Sequence, residues 1–308
     1  MKKMKTVFLL LVVFLLLLLF AGFALGESAV LVTDMAGREI RLDAPATRIV
    51  ALTASDCEIL YALGAGDMLV GRGPYCDYPA EALAIPIVES GANTNVEQIV
   101  ALEPQLVFMN TMAQSKEQLA VLEAAGIQIV VSDAADIAGV YDSIEIIGAV
   151  IGKQAEAEML VAGMKTSFEE IAKSAAGDGS QTVYFEVSPL QWGLWTAGSG
   201  TFMDELATML ELQNIFADVT GWAEISQEQV IERDPDYIVT IAMYLGEGLL
   251  PEAEIAGRDG WQSLKAVKNG NILNANTDAI SRPGPRLVEA AKELYAFFFE
   301  KEAVDPAA

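Results

Sequence analysis

The chain has 308 residues, just over half of them hydrophobic, enough for one large domain or two lobes of ordinary size. Its formal charge of −24 argues against nucleic acid as a partner and against adsorption to anionic lipid. It has no histidine, which excludes Ser-His-Asp and Cys-His catalysis and any histidine-ligated haem, and its two cysteines are too few for a four-cysteine metal site.

The first residues read as a secretory signal. Met1-Lys2-Lys3-Met4-Lys5 is basic, Val7–Phe20 is apolar, and Ala24-Leu25-Gly26 offers small residues where a signal peptidase reads. Residues 1–26 are therefore expected to be removed, after Gly26, from an exported protein of the periplasm or cell envelope. An uncleaved anchor is the rival reading. There is no cysteine near this site, so a lipid-anchored form is unsupported. Cleavage takes away three lysines and no acid, leaving a formal charge near −27. No later stretch is long and apolar enough to span a bilayer.

Strands and helices then alternate. Val30–Leu42 reads as a hairpin turning at Asp34-Met35-Ala36-Gly37. Arg48–Leu52 is a buried strand. Ser55 is expected to cap a helix over Asp56–Leu63, with Glu58 completing a capping box. Met68–Gly71 is a strand, Val96–Leu102 a helix stopped by Pro104, and Leu106–Met109 a strand. Ser115–Ala125 is a helix, Ile127–Val131 a strand and Asp136–Ile151 a helix.

Gln154–Ala176 is one long helix. Leu160, Met164, Phe168, Ile171 and Ala175 fall on one face, and at 1.5 Å per residue it runs about 35 Å. Beyond it come strand Thr182–Val187, helices Thr201–Leu210 and Gln227–Arg233, strand Tyr237–Ile241, helix Trp261–Ala266, strand Ile272-Leu273 and helix Arg286–Phe299.

A repeat brackets the long helix. Asn95-Val96-Glu97-Gln98-Ile99-Val100 with Pro104 and Leu106-Val107 aligns without a gap with Ser226-Gln227-Glu228-Gln229-Val230-Ile231, Pro235 and Tyr237-Ile238. The reading is an α/β fold of two doubly wound parallel lobes joined by a single helix, with a ligand cleft between them. The expected boundaries are 27–152, 153–176 and 177–308.

Several separated motifs then resemble one family in order. They are Thr33–Ile40 with Arg48–Leu52, Glu58-Ile59-Leu60-Tyr61-Ala62-Leu63-Gly64, Cys76-Asp77-Tyr78-Pro79, Ala266–Gly270, and Ser281-Arg282-Pro283-Gly284-Pro285-Arg286. Together they resemble the ABC-transporter substrate-binding proteins for cobalamin, haem and ferric siderophores, over Thr33 to Phe299. That resemblance implies two α/β lobes on one long helix, little movement on binding, and a monomer serving a membrane permease.

It also implies roles. Glu97 and Glu228 match the glutamates that dock onto arginines of the permease, so the partner should present a basic surface; the bland alternative is two ordinary helix-start acids. Tyr75, Trp222, Asp278 and Arg282 align with residues that line the cobalamin cleft. Alternatively, Tyr75 and Trp222 anchor their own loops and Arg282 pairs only with Asp278. Trp192 and Trp195 follow a strand end and are cleft or core; their segment departs from the cobalamin-binding members. Asn110, Met112, Met243 and Tyr244 also follow strand ends, the methionines more as packing residues.

Cys57 and Cys76 are read as either a disulfide or two buried thiols; no resident metal or cofactor is expected. The leading ligand is a cobalamin-like corrinoid. A ferric siderophore is second, because Arg72, Arg282 and Arg286 are the few cleft cations. Haem is third, with Tyr75 or Tyr78 as the iron ligand. A ligand-presenting sensor or an enzyme on the same architecture are the other classes. The second lacks a cysteine or histidine set and any carboxylate pair that stands out.

Overall fold

The computed structural model describes residues 29–110, 116–242 and 248–300. The expected signal peptide, Met112, Met243 and Tyr244 lie outside the described residues.

Strand β1 (Val30–Thr33) pairs antiparallel with β2 (Glu39–Leu42). Asp34 shapes the turn: one carboxylate oxygen accepts the amides of Ala36 and Arg38, and the other accepts the Val131 amide at 2.9 Å. That last bond ties the hairpin to the first lobe.

The first lobe continues as β3 (Ile49–Ala51), α1 (Ala54–Ala62), β4 (Leu69–Arg72), α2 (Val96–Ala101), β5 (Leu106–Met109), α3 (Lys116–Ala124), β6 (Gln128–Val131) and α4 (Ile137–Val150). Its sheet is wholly parallel, in the order β4-β3-β5-β6. The chain reverses its winding between β3 and β5, which makes their carboxyl ends the switch point where α/β proteins hold ligands.

The linking helix α5 (Gln154–Ser174) buries Ala157, Val161, Met164, Phe168 and Ile171. Each large side chain among them contributes about 1.5–3 kcal/mol. Leu160 packs at the margin of this stripe. Close approach to α4 requires a small residue: a Cβ on Gly148 would meet the Ala157 methyl at 2.5 Å.

The second lobe holds β7 (Thr182–Ser188), β8 (Trp195–Ala197), α6 (Phe202–Met209), β9 (Gln213–Asn214), β10 (Trp222–Glu224), α7 (Gln227–Arg233), β11 (Tyr237–Thr240), α8 (Pro251–Gly257), α9 (Lys265–Lys268), β12 (Ile272–Asn274), α10 (Thr277–Ser281) and α11 (Leu287–Phe299). Strands run in the order β10-β8-β7-β11-β12, with β9 also beside β7.

Here two expectations give way. This sheet is mixed, because β8 and β10 are antiparallel. Three residues are too few to show the period-two alternation that marks a strand. The stretch read as one helix over 261–266 is a single 3₁₀ turn, Trp261–Ser263, followed by α9.

One continuous core runs from α1 and α4 through the linking helix to α6 and α11, so the inner layers of the two lobes are fused. Each lobe also has a private outer core, around Val107 and Leu122 in the first and around Trp261 and Ile238 in the second.

Candidate functional site: the interlobe cleft and its flanks

The repeat is real in three dimensions. Asn95 accepts the Gln98 amide at 3.0 Å, and Ser226 accepts the Gln229 amide at 3.3 Å. Both helices end on a left-handed residue at the same position of the repeat, Glu103 (φ 48°) and Asp234 (φ 42°). Among the described residues only one other non-glycine has positive φ, so the coincidence marks a shared design. In each copy the side chain just after the proline reaches the start of the neighbouring strand. Gln105 accepts the Thr47 and Arg48 amides at 2.7 and 3.0 Å, and Asp236 accepts the Thr182 amide at 2.9 Å. Glu97 and Glu228 stand exposed in the first turns of α2 and α7. Hydrogen bonds from its own amide and from Ser226 hold the Glu228 carboxyl below the usual range.

The lobes are joined at two flanks besides the linking helix. On the β4/β12 flank, Glu58 of α1 is buried and accepts Arg286 at both oxygens, 2.8 and 2.6 Å. It also accepts Arg282 at 2.9 Å. Arg282 in turn reaches Asp77 at 2.8 Å and Asp278 at 2.7 Å. Tyr78 covers the Arg286 guanidinium, ring centre 4.0 Å away. Burial works against the Arg282 charge, but Asp77 and Glu58 outweigh it and raise its pKa. A groove of about 540 Å³ opens beside this clasp, lined by Glu58, Tyr61, Tyr78 and Arg286; Tyr78 is a candidate iron ligand for haem, while Tyr75, Trp192, Trp195 and Trp222 do not line it. On the β6/β8 flank, the Phe202 amide donates to the Ala135 carbonyl at 2.9 Å, and Glu205 accepts the Ile137 amide at 2.7 Å.

The expected Ser55–Glu58 capping box does not form. Thr53 caps α1 instead, and Ser55 lies inside the helix. Helix α1 buries Cys57, Ile59 and Leu60 on different sides, so its acids are buried too. Glu58 is therefore a site residue that sequence reading placed elsewhere, as a helix cap; the available signal was a helix apolar all round that still carries two acids.

The structure brings two pairs of the expected cleft residues together, Arg282 with Asp278 and Trp195 with Trp222. Arg282 and Asp278 are bonded to each other within the clasp. Tyr75 lies apart in the loop after β4, highly exposed at 72 %. That loop crosses tightly over β3, where a Cβ on Gly73 would sit 2.3 Å from the Leu52 carbonyl oxygen. Trp195 and Trp222 sit on adjacent strands in register two residues apart, so they share a sheet face as a diagonal pair. Trp222 packs edge-on against Phe202, at 5.4 Å, with 41 % of its surface open. Trp192 is 76 % exposed in the turn between β7 and β8. Asn110 lies at the carboxyl end of β5, half-buried, beside the switch point.

Cations near the strand ends are already committed. The buried Arg72 guanidinium donates to the carbonyls of Ile85 and Gly73, at 3.1 and 3.2 Å. Arg282 and Arg286 are taken by carboxylates. Cys57 and Cys76 are free, buried thiols with no disulfide between them. A hydrogen bond with Cys57, followed by burial, raises the Cys76 pKa far beyond the ordinary thiol range. Each lobe also buries a carboxylate. Asp56 has only hydroxyl partners, Thr53 and Ser132, and burial pushes it up to about 7. Glu186 is held by Arg258 at 2.5 and 3.0 Å; burial still pushes it up, while the guanidinium stays charged. Among the described residues no cluster of His, Cys, Asp or Glu is arranged to hold a metal ion.

The family described as Periplasmic binding protein matches residues 49–279. The chain belongs to that family. The ABC transporter substrate-binding lipoprotein YvrC of Bacillus subtilis, itself uncharacterized, is 35% identical over 271 residues, 86% of this chain and 84% of that one. The vitamin B12-binding protein of Salmonella typhimurium is 30% identical over 253 residues, 81% and 89% of the two chains. The crystal structure of a possible iron-binding, periplasmic solute-binding protein from Staphylococcus epidermidis superposes with a TM-score of 0.70 at 30% identity, covering 82% of this chain and 99% of that one. This periplasmic binding protein is thus an exported, non-enzymatic substrate-binding protein of an ABC transporter. Proteins of its family take small-molecule ligands and work with a membrane permease.

Proposed function

We propose that this protein captures a cobalamin-like corrinoid in the interlobe cleft and delivers it to an ABC permease. The observation that carries the ligand class is the pairing of open aromatic surface with spent cations. Tyr75 and Trp192 stand exposed in the loops after β4 and β7, and Trp195 and Trp222, the first residues of β8 and β10, each leave part of the ring exposed. Arg72, Arg282 and Arg286 are each bonded within the protein. Large flat rings suit a broad, uncharged macrocycle, while an anionic siderophore asks for free cations. Similarity to vitamin B12-binding proteins supports the same choice.

A ferric siderophore is the second reading, favoured by the likeness to the possible iron-binding protein of Staphylococcus epidermidis. Haem, ligated by Tyr75 or Tyr78, is third. In each case Glu97 and Glu228 are proposed to dock on permease arginines, the mature protein to begin after Gly26, and the protein to act as a monomer. The lobes are proposed to span 27–152 and 177–308 with residues 153–176 between them.

The test is a titration of the mature protein with cyanocobalamin, followed by tryptophan fluorescence. Saturable quenching at micromolar concentration or below, weakened in Trp222→Ala, supports the corrinoid reading. No quenching and no heat of binding sinks it.

A further inference from the structure

The two flanks of the cleft are built differently. The β6/β8 flank rests on one backbone bond and one carboxylate–amide bond. The β4/β12 flank rests on side chains, and its cross-lobe bonds come from two acids of the first lobe, Glu58 and Asp77. Their shares are unequal. The Glu58 side chain is 2 % exposed and accepts three N–H groups, whereas Asp77 is 45 % exposed and accepts one. Charge-assisted bonds gain strength as water is excluded, so Glu58 is the stronger tie.

Glu58 also solves a local problem. Arg282 and Arg286 are close enough to repel one another. Arg282 has Asp77 and Asp278 besides Glu58, but Glu58 is the one described carboxylate on Arg286. Without it, two cations of the second lobe would face each other at the interface. With it, both are drawn onto α1 of the first lobe. Three carboxylates on Arg282 further fix the plane of its guanidinium.

We propose that Glu58 is the positioning residue of this protein: it sets the angle between the lobes, hence the separation of Glu97 from Glu228, and holds Arg282 in a fixed orientation at the cleft. The effect on Arg282 at the ligand rests on the corrinoid reading; the effect on lobe angle does not. Glu97 and Glu228 lie on opposite lobes, so any change of angle alters the distance between them.

The test uses the mature protein with spin labels at Glu97→Cys and Glu228→Cys. Cys57 and Cys76 are buried, so the parent without added cysteines should take up no label. Pulsed dipolar spectroscopy should give a narrow distance distribution in the labelled parent and a shifted or broadened one in Glu58→Gln. Glu58→Asp, which keeps the charge, should recover most of the narrow distribution. A purely structural role would lower the melting temperature and leave the distances of the folded fraction as in the parent; that result overturns the proposal. If Glu58→Gln does not accumulate, Asp77→Asn is read instead: it should shift the distances in a smaller way, and unchanged distances overturn the proposal. Cyanocobalamin affinity in Glu58→Gln should fall about 10- to 100-fold, the worth of one charged hydrogen-bond network. If the parent itself ignores cyanocobalamin, the corrinoid reading fails, while the distances still decide the role of Glu58.

Discussion

The two copies of the helix–strand unit, 95–109 and 226–240, are alike in themselves and unlike in the strands around them. Both carry a capped helix, an exposed glutamate in its first turn, a left-handed acid and a side chain tied across to the next strand. Around the second copy the sheet gains β8, antiparallel to β7, and β10, antiparallel to β8, bearing Trp195 and Trp222; among the described residues the first lobe's sheet has no such strands. Two of the buried carboxylates also differ: Glu186 of the second lobe has a guanidinium partner, and Asp56 of the first has two hydroxyls. The shared part suits contact with a symmetric partner. The unshared part suits an asymmetric ligand and separate stability requirements.

The largest effect should come from breaking the buried pair of the second lobe. Arg258→Met leaves Glu186 buried without its guanidinium partner, which should cost about 3–5 kcal/mol in chemical denaturation. The same experiment on the first lobe should go the other way. The folded-state pKa of Asp56, about 7, lies above its unfolded value of 3.8. The folded state therefore holds the extra proton between these values, and stability falls as pH rises from about 4 to about 7. Asp56→Asn mimics the protonated form. It should flatten that slope and stabilise the protein at pH 8 by on the order of 3 kcal/mol, read from denaturation curves across pH. A slope unchanged by Asp56→Asn would place the titrating group elsewhere.

Smaller effects test the division between cleft and rim. Trp222→Ala removes a half-open ring packed on Phe202 and should weaken cyanocobalamin binding by about 1–2 kcal/mol in calorimetry. Glu97→Lys and Glu228→Lys should leave that affinity unchanged. Each should slow association with the reconstituted permease to a similar degree, more at low salt than at high salt. Unequal effects of the two reversals would break the equivalence of the copies.

Much of this architecture was legible in the sequence because period and punctuation agree there. Leu106–Met109 and Gln227–Arg233 have the bounds that the apolar run and the Ser226 cap imply. The linking helix shows a clean apolar stripe over 21 residues. Strands β8 and β10 were not legible, because three residues carry no period. Glu58 was misread for a different reason. A Ser-x-x-Glu spacing has the same form whether the glutamate turns back to its own helix or crosses to arginines more than 220 positions away. Only the tertiary partner decides, and local pattern holds no record of it.

The most direct measurement is calorimetry of the mature protein against cyanocobalamin, a ferric hydroxamate and haem, side by side. The account predicts one saturable site for cyanocobalamin at micromolar affinity or tighter, and much weaker heats for the other two. Tight binding of the ferric hydroxamate or haem with none of cyanocobalamin would contradict it.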